Sequence, residues 1–289
     1  MRYILLLCLL LVPCANASPL SRPTSAATPL KRIVSLAPHL TDMLIGLGAR
    51  AQIAGVVDDH EIRGAHTISL TGLPVVADAF GLNEERLLSI KPDLVVIWDE
   101  GTSVARRERL QRLGIPVVTF RTSRLEDLAG QLEQLGRLTG HEAAGRQQAT
   151  AFRSRLDALS RQYHKGPRLR YFYQVWRQPL YSLQGQHLVS QALARCGADN
   201  ILPPGPVAAP LVDPEFVVTS SPDVIFFGKD DASASLAYWG RFTSLSAVKA
   251  RQLLAVDDQR LARPGPELLD AIEPLCAQLQ PLRRSAKQR

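Results

Sequence analysis

The chain reads as an α/β protein of two Rossmann-like lobes bridged by a single long backbone helix. An internal repeat gives the first indication: residues 83–97 and 213–227 follow the same plan, offset by 130 positions (Asn83 to Asp213). In each copy Asn83 or Asp213 can cap a short helix by accepting a free first-turn N–H. A glutamate, Glu85 or Glu215, follows two positions later, where the helix dipole favours negative charge. Pro92-Asp93 and Pro222-Asp223 then stop the helix and launch four apolar residues. Such runs, without polar alternation, are the mark of strands buried on both faces of a parallel sheet. The second indication is a proline-free helical stretch at residues 141–164, between the two copies. The third is length, since about 270 residues suit two lobes better than one typical domain.

The elements follow in order. Arg2, an apolar run at residues 4–12, Pro13 and Ala15-Asn16-Ala17 form a secretory signal peptide over residues 1–17, with cleavage before Ser18. The run is far shorter than the about 20 residues a spanning helix needs. Lipid attachment would use Cys14, which the preceding Pro13 disfavours. Residues 18–30, rich in Ser, Pro, Thr and Ala, form a flexible lead-in. The N-terminal lobe, residues 31–140, opens with a strand at 32–36 and a helix at 38–47 that Gly48 ends. Strands are expected at 53–57, 94–98 and 117–120, with helices at 84–90, 103–113 and 124–138. The bridge spans 141–165, with Phe152, Leu156, Leu159 and Tyr163 on one face and Gly145 as its internal glycine. Gly166-Pro167 ends it, and the C-terminal lobe, 166–289, opens with a strand at 169–175. The basic tail, Arg283, Arg284, Lys287 and Arg289, reads as a solvated end.

Composition narrows the function. Removing residues 1–17 takes away only Arg2, leaving 33 basic against 27 acidic residues, a net +6. No basic stripe is interleaved with aromatics, so nucleic acid is not an indicated partner. Cys8 and Cys14 leave with the signal; Cys196 and Cys276 remain, and an even pair in an oxidising compartment reads as a disulfide, two buried thiols being the alternative. Gly46-Leu47-Gly48-Ala49-Arg50-Ala51 matches a dinucleotide fingerprint, but its glycines end a helix and precede a strand, the reverse of what the fingerprint requires. No nucleophile elbow, P-loop or H-E-x-x-H motif is present. His39 sits at a helix start, where polar residues are ordinary; His60 and His66 share a polar loop with Asp58, Asp59 and Glu61, and no second-lobe cluster completes a metal site.

The aromatics say more. Phe80 ends a loop, Trp98 ends a strand before Asp99-Glu100, and Trp176 and Tyr181 flank Arg177-Gln178-Pro179 after the first strand of the second lobe. Ligands of α/β sheets bind beyond the strand carboxyl ends, where aromatics supply broad apolar area. The alternative is that each plugs its own lobe's core. Tyr238-Trp239 lies in what reads as a polar loop. Two like lobes with a cleft between them fit a binding protein better than a compact enzyme.

Arg32-Ile33-Val34-Ser35-Leu36-Ala37-Pro38, the Leu82-Asn83-Glu84-Glu85 segment leading to Lys91-Pro92-Asp93-Leu94-Val95, Cys196-Gly197-Ala198-Asp199-Asn200 and Arg263-Pro264-Gly265-Pro266 occur in that order. Together they resemble the helical-backbone substrate-binding proteins of ABC importers, and within them the periplasmic cobalamin binders. The resemblance implies a periplasmic monomer without catalysis or cofactor, holding cobalamin between its lobes and delivering it to a permease with ATPase subunits. It matches Trp98 to a pocket tryptophan, with Phe80 or Trp176 standing in for lost ones; with Tyr181 and Arg263 these are the candidate ligand residues, and Glu85 and Glu215 fall where the family meets arginines of the permease. It also implies the Cys196–Cys276 disulfide. Ferric-siderophore, haem or metal receptors share the architecture and are the alternative ligand classes; a secreted two-lobed enzyme is the alternative from another class. Two departures concern the pocket. Asp58-Asp59-His60-Glu61-Ile62-Arg63 replaces a Tyr-Pro loop, and Ala79 and Ala209 fall where relatives carry tryptophan.

Overall fold

The computed structural model describes residues 30–58, 72–78, 81–163 and 165–286. The predicted signal segment, nearly all of the lead-in, Phe80, His60 and His66 lie outside the described residues.

Among the described residues the N-terminal lobe carries five strands: β1 (Ile33–Ser35), β2 (Ile53–Val57), β3 (Val75–Ala77), β4 (Leu94–Trp98) and β5 (Val117–Phe120). They pair in the order β3-β2-β1-β4-β5, every pair parallel. Helices α1 (Pro38–Gly46), α2 (Glu84–Ile90), α3 (Val104–Arg112) and α4 (Asp127–Thr139) connect and cover them. The backbone helix is α5 (Glu142–Tyr163). Beyond it come β6 (Leu169–Trp176), β7 (Tyr181–Ser182), α6 (Leu188–Arg195), β8 (Ala198–Asn200), α7 (Pro214–Ser220) and β9 (Val224–Gly228). The chain continues through α8 (Ala232–Gly240), α9 (Ser246–Lys249), β10 (Leu253–Val256), α10 (Asp258–Leu261) and α11 (Leu268–Ala286). The second sheet runs β10-β9-β6-β7, with β8 also on β6; only the β6–β7 pair is antiparallel.

The repeat has a structural counterpart in both lobes. Asn83 accepts from the Arg86 N–H at 2.9 Å and Asp213 from the Glu215 N–H at 2.8 Å, so both helices are capped as expected. Each helix is closed by a C-cap residue directly before its proline, Lys91 and Ser221, both in the left-handed region (φ 52° and 41°). The aspartates after the prolines perform a task that the sequence alone did not disclose. Asp93 accepts from the backbone N–H of Arg32 at 2.9 Å, and Asp223 from that of Arg170 at 2.8 Å. Each carboxylate thus ties the entry of its lobe's first strand to the strand of the repeat, β1 to β4 and β6 to β9.

Helix α5 buries Phe152, Leu156, Leu159 and Tyr163, the face its periodicity predicts. Gly145 is there for packing: a Cβ on it would lie 2.7 Å from the Leu132 carbonyl oxygen, so only glycine lets α4 and α5 approach. One apolar cluster runs from Ile33 and Leu94 through Phe152 and Leu156 to Tyr171, Phe226 and Leu279. It joins both sheets through the bridge. Cys196 and Cys276 form a disulfide that ties the end of α6 to α11.

Three side chains depart from expectation. Arg283 is not solvated: it is only 5 % exposed and donates to the carbonyls of Pro167 (2.9 Å) and Lys165 (2.8 Å). Its guanidinium occupies the space a side chain at Gly197 would need, and it fastens the turn that ends the bridge. Trp239 lies in helix α8 rather than a polar loop, fully buried among Phe172, Phe227 and Leu245. His39 is buried as well, because the helix it opens packs into the core.

Candidate functional site

The carboxyl ends of β1 and β4 bring His39 and Trp98 together, edge to face, with ring centroids 5.2 Å apart. A Cβ at Gly101 would fall 2.3 Å from the indole, so the turn after β4 leaves room for Trp98 only because glycine stands there. Trp98 is partly buried against the common core. Its Nε1 and the His39 Nε2 are both buried without a hydrogen-bond partner among the described residues. Burial, reinforced by the Arg263 charge, pushes the His39 imidazole down to about 3, so the ring is neutral at pH 7.

Arg263 comes from the far side of the chain, just after α10, and forms an ion pair with Asp42 of α1. The side chains are 14 % and 4 % exposed respectively. The pair therefore links the two lobes beside the strand ends. A carboxylate in the middle of the apolar α1 face needs such a partner. Asp42 directly before Met43-Leu44-Ile45 is the sequence signal for such a pair.

In the second lobe, the carboxyl ends of β6 and β9 border a cavity of about 770 Å³ lined by residues of that lobe. Gln174, Trp176, Arg177, Asp230, Asp231 and Asp258 line it, together with Gly228 and Ala262. Trp176 is 62 % exposed at its mouth, and its indole N–H donates to the Gln178 carbonyl at 2.9 Å. A chain of hydrogen bonds anchors the wall to the core: buried Trp239 donates to Gln174 (2.8 Å), Gln174 to Ser235 (2.6 Å) and Ser235 to Asp231 (2.9 Å). Arg177 completes it with a donated bond to Asp231 at 3.1 Å, which holds that carboxyl below the usual range. Asp258 behaves oppositely. Burial, aided by the Asp230 and Asp257 charges, pushes its carboxyl up.

Of the residues assigned to the ligand, Trp98 lies at the first lobe's strand ends and Trp176 on the second lobe's cavity. Arg263 follows the cavity-lining Ala262 but is engaged by Asp42. Tyr181 sits on β7 opposite Trp176 and is not part of the cavity lining. The acidic wall was missed, although the repeat hinted at it: acidic residues follow both repeat strands, Asp99-Glu100 in one copy and Asp230-Asp231 in the other. Among the described residues no group of three His, Cys, Asp or Glu side chains is placed to hold a metal ion.

Glu85 and Glu215 stand exposed on the first turns of α2 and α7. Neighbouring Glu84, by contrast, is held by Arg109, whose hydrogen bond keeps its carboxyl below the usual range.

Comparison with known proteins converges on one family. Residues 33–259 match the periplasmic binding protein family. A vitamin B12-binding protein of Vibrio cholerae serotype O1 is 32 % identical over 253 residues, covering 87 % of this chain and 90 % of that protein. The crystal structure of the periplasmic vitamin B12 binding protein BtuF of Vibrio cholerae superposes with a TM-score of 0.77 at 31 % identity, covering 87 % of this chain and 97 % of the other. The periplasmic haem-binding protein BhuT, in complex with two haems, shares the fold with a TM-score of 0.74 at 20 % identity, over 86 % and 97 % of the two chains. The chain belongs to the periplasmic binding protein family, a family of binding proteins and not of enzymes.

Proposed function

We propose that this periplasmic binding protein captures cobalamin in the cleft between its lobes and delivers it to an ABC importer. The observation that carries the reading is the likeness to vitamin B12 binders over nearly the whole chain, at 31–32 % identity and a TM-score of 0.77. The geometry supports it. A cavity of about 770 Å³ falls within the range of small-molecule sites, about 300–1,000 Å³. Its aromatic lining residue, Trp176, and Trp98 at the strand ends of the first lobe suit a large, rigid, partly apolar ligand. The predicted lobes, 31–140 and 166–289, with the bridge at 141–165, enclose that ligand with little closure, since a stiff helix and the Asp42–Arg263 pair join them. Residues 1–17 direct export, and the mature chain acts as a monomer that meets the permease and its ATPase subunits through Glu85 and Glu215. Calorimetric titration of the purified mature protein with cyanocobalamin, beside haemin and ferric hydroxamates, tests the reading. Saturable binding of cyanocobalamin is expected. Heat from haemin or a ferric hydroxamate alone would move the protein to one of the alternative ligand classes.

A further inference from the structure

Arg263 and Arg177 differ in what they still offer a ligand. The Arg263 side chain is 14 % exposed and committed to Asp42, itself 4 % exposed. Drawing it onto a ligand would strand that buried carboxylate. Arg263 is also absent from the cavity lining, whereas Arg177 is the one cationic side chain there among the described residues. The Arg177 side chain is 26 % exposed. Its Nε donates to Asp231 Oδ2 at 3.1 Å and its Nη2 to Oδ1 at 3.5 Å. A guanidinium holds its N–H donors in a planar fork, so one edge is spent on Asp231. Nη1, on the other edge, has no acceptor among the described residues.

That edge is braced from behind. Asp231 accepts from Ser235 at 2.9 Å, Ser235 from Gln174 at 2.6 Å, and Gln174 from Trp239 at 2.8 Å. Ser235 and Trp239 are fully buried and Gln174 nearly so. The guanidinium is therefore oriented before a ligand arrives, and little side-chain freedom is lost when one binds. Because Asp231 offsets its charge, Arg177 brings directed N–H donors rather than net positive charge.

We propose that Arg177 fixes the ligand's orientation in this cavity by donating from its outer edge to an oxygen acceptor, and that Ser235 positions it through Asp231. The inference deepens the ligand reading above and rests on it. Cobalamin offers that acceptor from two sources, the peripheral amide carbonyls and the phosphodiester of the nucleotide loop. The fork fits both, and two phosphodiester oxygens would accept side by side.

The test titrates cyanocobalamin and dicyanocobinamide, which keeps the amides but lacks the nucleotide loop, into the intact protein by calorimetry. Arg177→Met should weaken cyanocobalamin binding about tenfold or more, the scale of a hydrogen bond from a charged donor. Arg177→Lys, which keeps the charge without the fork, should recover only part of the loss. A loss confined to cyanocobalamin assigns the acceptor to the phosphodiester, and an equal loss with both ligands assigns it to an amide. Repeating Arg177→Met in an Asp231→Asn background separates contact from field. The loss persists there if Arg177 meets the ligand; its disappearance would trace it to the unmasked Asp231 charge and overturn the inference. Ser235→Ala should weaken binding in the wild type, add nothing in the Arg177→Met background, and be rescued by Ser235→Thr. An equal cost of Ser235→Ala in both backgrounds would reduce Ser235 to a core residue and overturn its positioning role. Wild-type affinity in folded Arg177→Met would overturn the inference while leaving the ligand reading intact. Absence of cyanocobalamin binding by the wild type would overturn the ligand reading, and this inference with it.

Discussion

Single residues in the cleft have different tasks, and substitution separates them. Trp176 is exposed and, among the described residues, its side chain hydrogen-bonds to the nearby Gln178 carbonyl, so it contributes little to the core. Trp176→Ala should weaken cobalamin binding by about 1–3 kcal/mol, the scale of an apolar side chain, with the melting temperature unchanged. Trp98 packs on His39 and the common core, so Trp98→Ala should lower both affinity and stability. Calorimetry and thermal melts on the two variants distinguish these roles; unchanged affinity in both would remove the pair from the ligand site. His39 adds a pH dependence. Its ring stays neutral in the fold down to about pH 3, whereas the unfolded chain takes up a proton near 6.5. Stability contributed by the buried neutral ring is complete above pH 6.5 and is lost as pH falls toward 3, at about 1.4 kcal/mol per unit. His187, which burial lowers to about 4, acts in the same direction. His39→Phe should therefore make stability between pH 6 and 4.5 less steep by about one proton, measured from urea midpoints. An equal slope would mean that His39 titrates freely in the folded protein.

At the scale of elements, the legible features were those in which local chemistry and tertiary need coincide. The strand at 94–98 was readable because a parallel strand buried on both faces is apolar at every position, and β4 occupies those residues. Helix α5 was readable because its buried face keeps helical spacing throughout. Short edge strands carry no such signal, which is why the three residues of β3 passed unnoticed. Trp239 and Arg283 misled for a related reason. Their burial comes from partners far along the chain, Gln174 for one and the 165–167 turn for the other. In the candidate site, Trp98 and Trp176 are legible by their position at strand ends, whereas the acidic wall is assembled from distant segments, α10 bringing Asp258 against Gly228. The disulfide is the covalent member of these long-range contacts. It joins α6 to α11 across 80 residues, and a loop of that length is stabilised by about 4 kcal/mol in chain-entropy terms. Mass spectrometry of non-reduced, alkylated protein should find the bond intact. The Cys196→Ala, Cys276→Ala double variant should lose about 2–5 kcal/mol in urea unfolding. Two alkylated thiols on native protein would refute the bridge in the exported chain.

At the scale of the molecule, the repeat makes the two lobes equivalent platforms. Asp93 and Asp223 tie each repeat strand to the first strand of its lobe, so α2 and α7 start from corresponding places on corresponding sheets. The backbone helix and a continuous core hold the sheets together, which makes the relation between α2 and α7 part of the rigid body. On each helix the cap is supplied by Asn83 or Asp213, and the following glutamate is left exposed. The apolar side chains beside the glutamates, Leu88 and Phe216, are 46 % and 41 % exposed. A charged point flanked by exposed apolar surface, present once per lobe, suits a partner that offers a matching pair of cationic points. Arginines would fix orientation there by two-pronged bonding to each carboxylate. The competing account makes both glutamates solvated first-turn residues, favoured only by the helix dipole. The accounts differ in what removal does. If the glutamates serve the helices alone, Glu85→Ala with Glu215→Ala should cost no more than about 1 kcal/mol of stability and leave delivery untouched. If they dock the protein, the double variant should bind cobalamin with wild-type affinity yet fail to form a complex with the permease or support uptake in reconstituted vesicles. Each single variant should lose part of the effect, because one anchored lobe still holds the other near its site. Wild-type docking and transport by the double variant would reduce the repeated glutamates to helix chemistry.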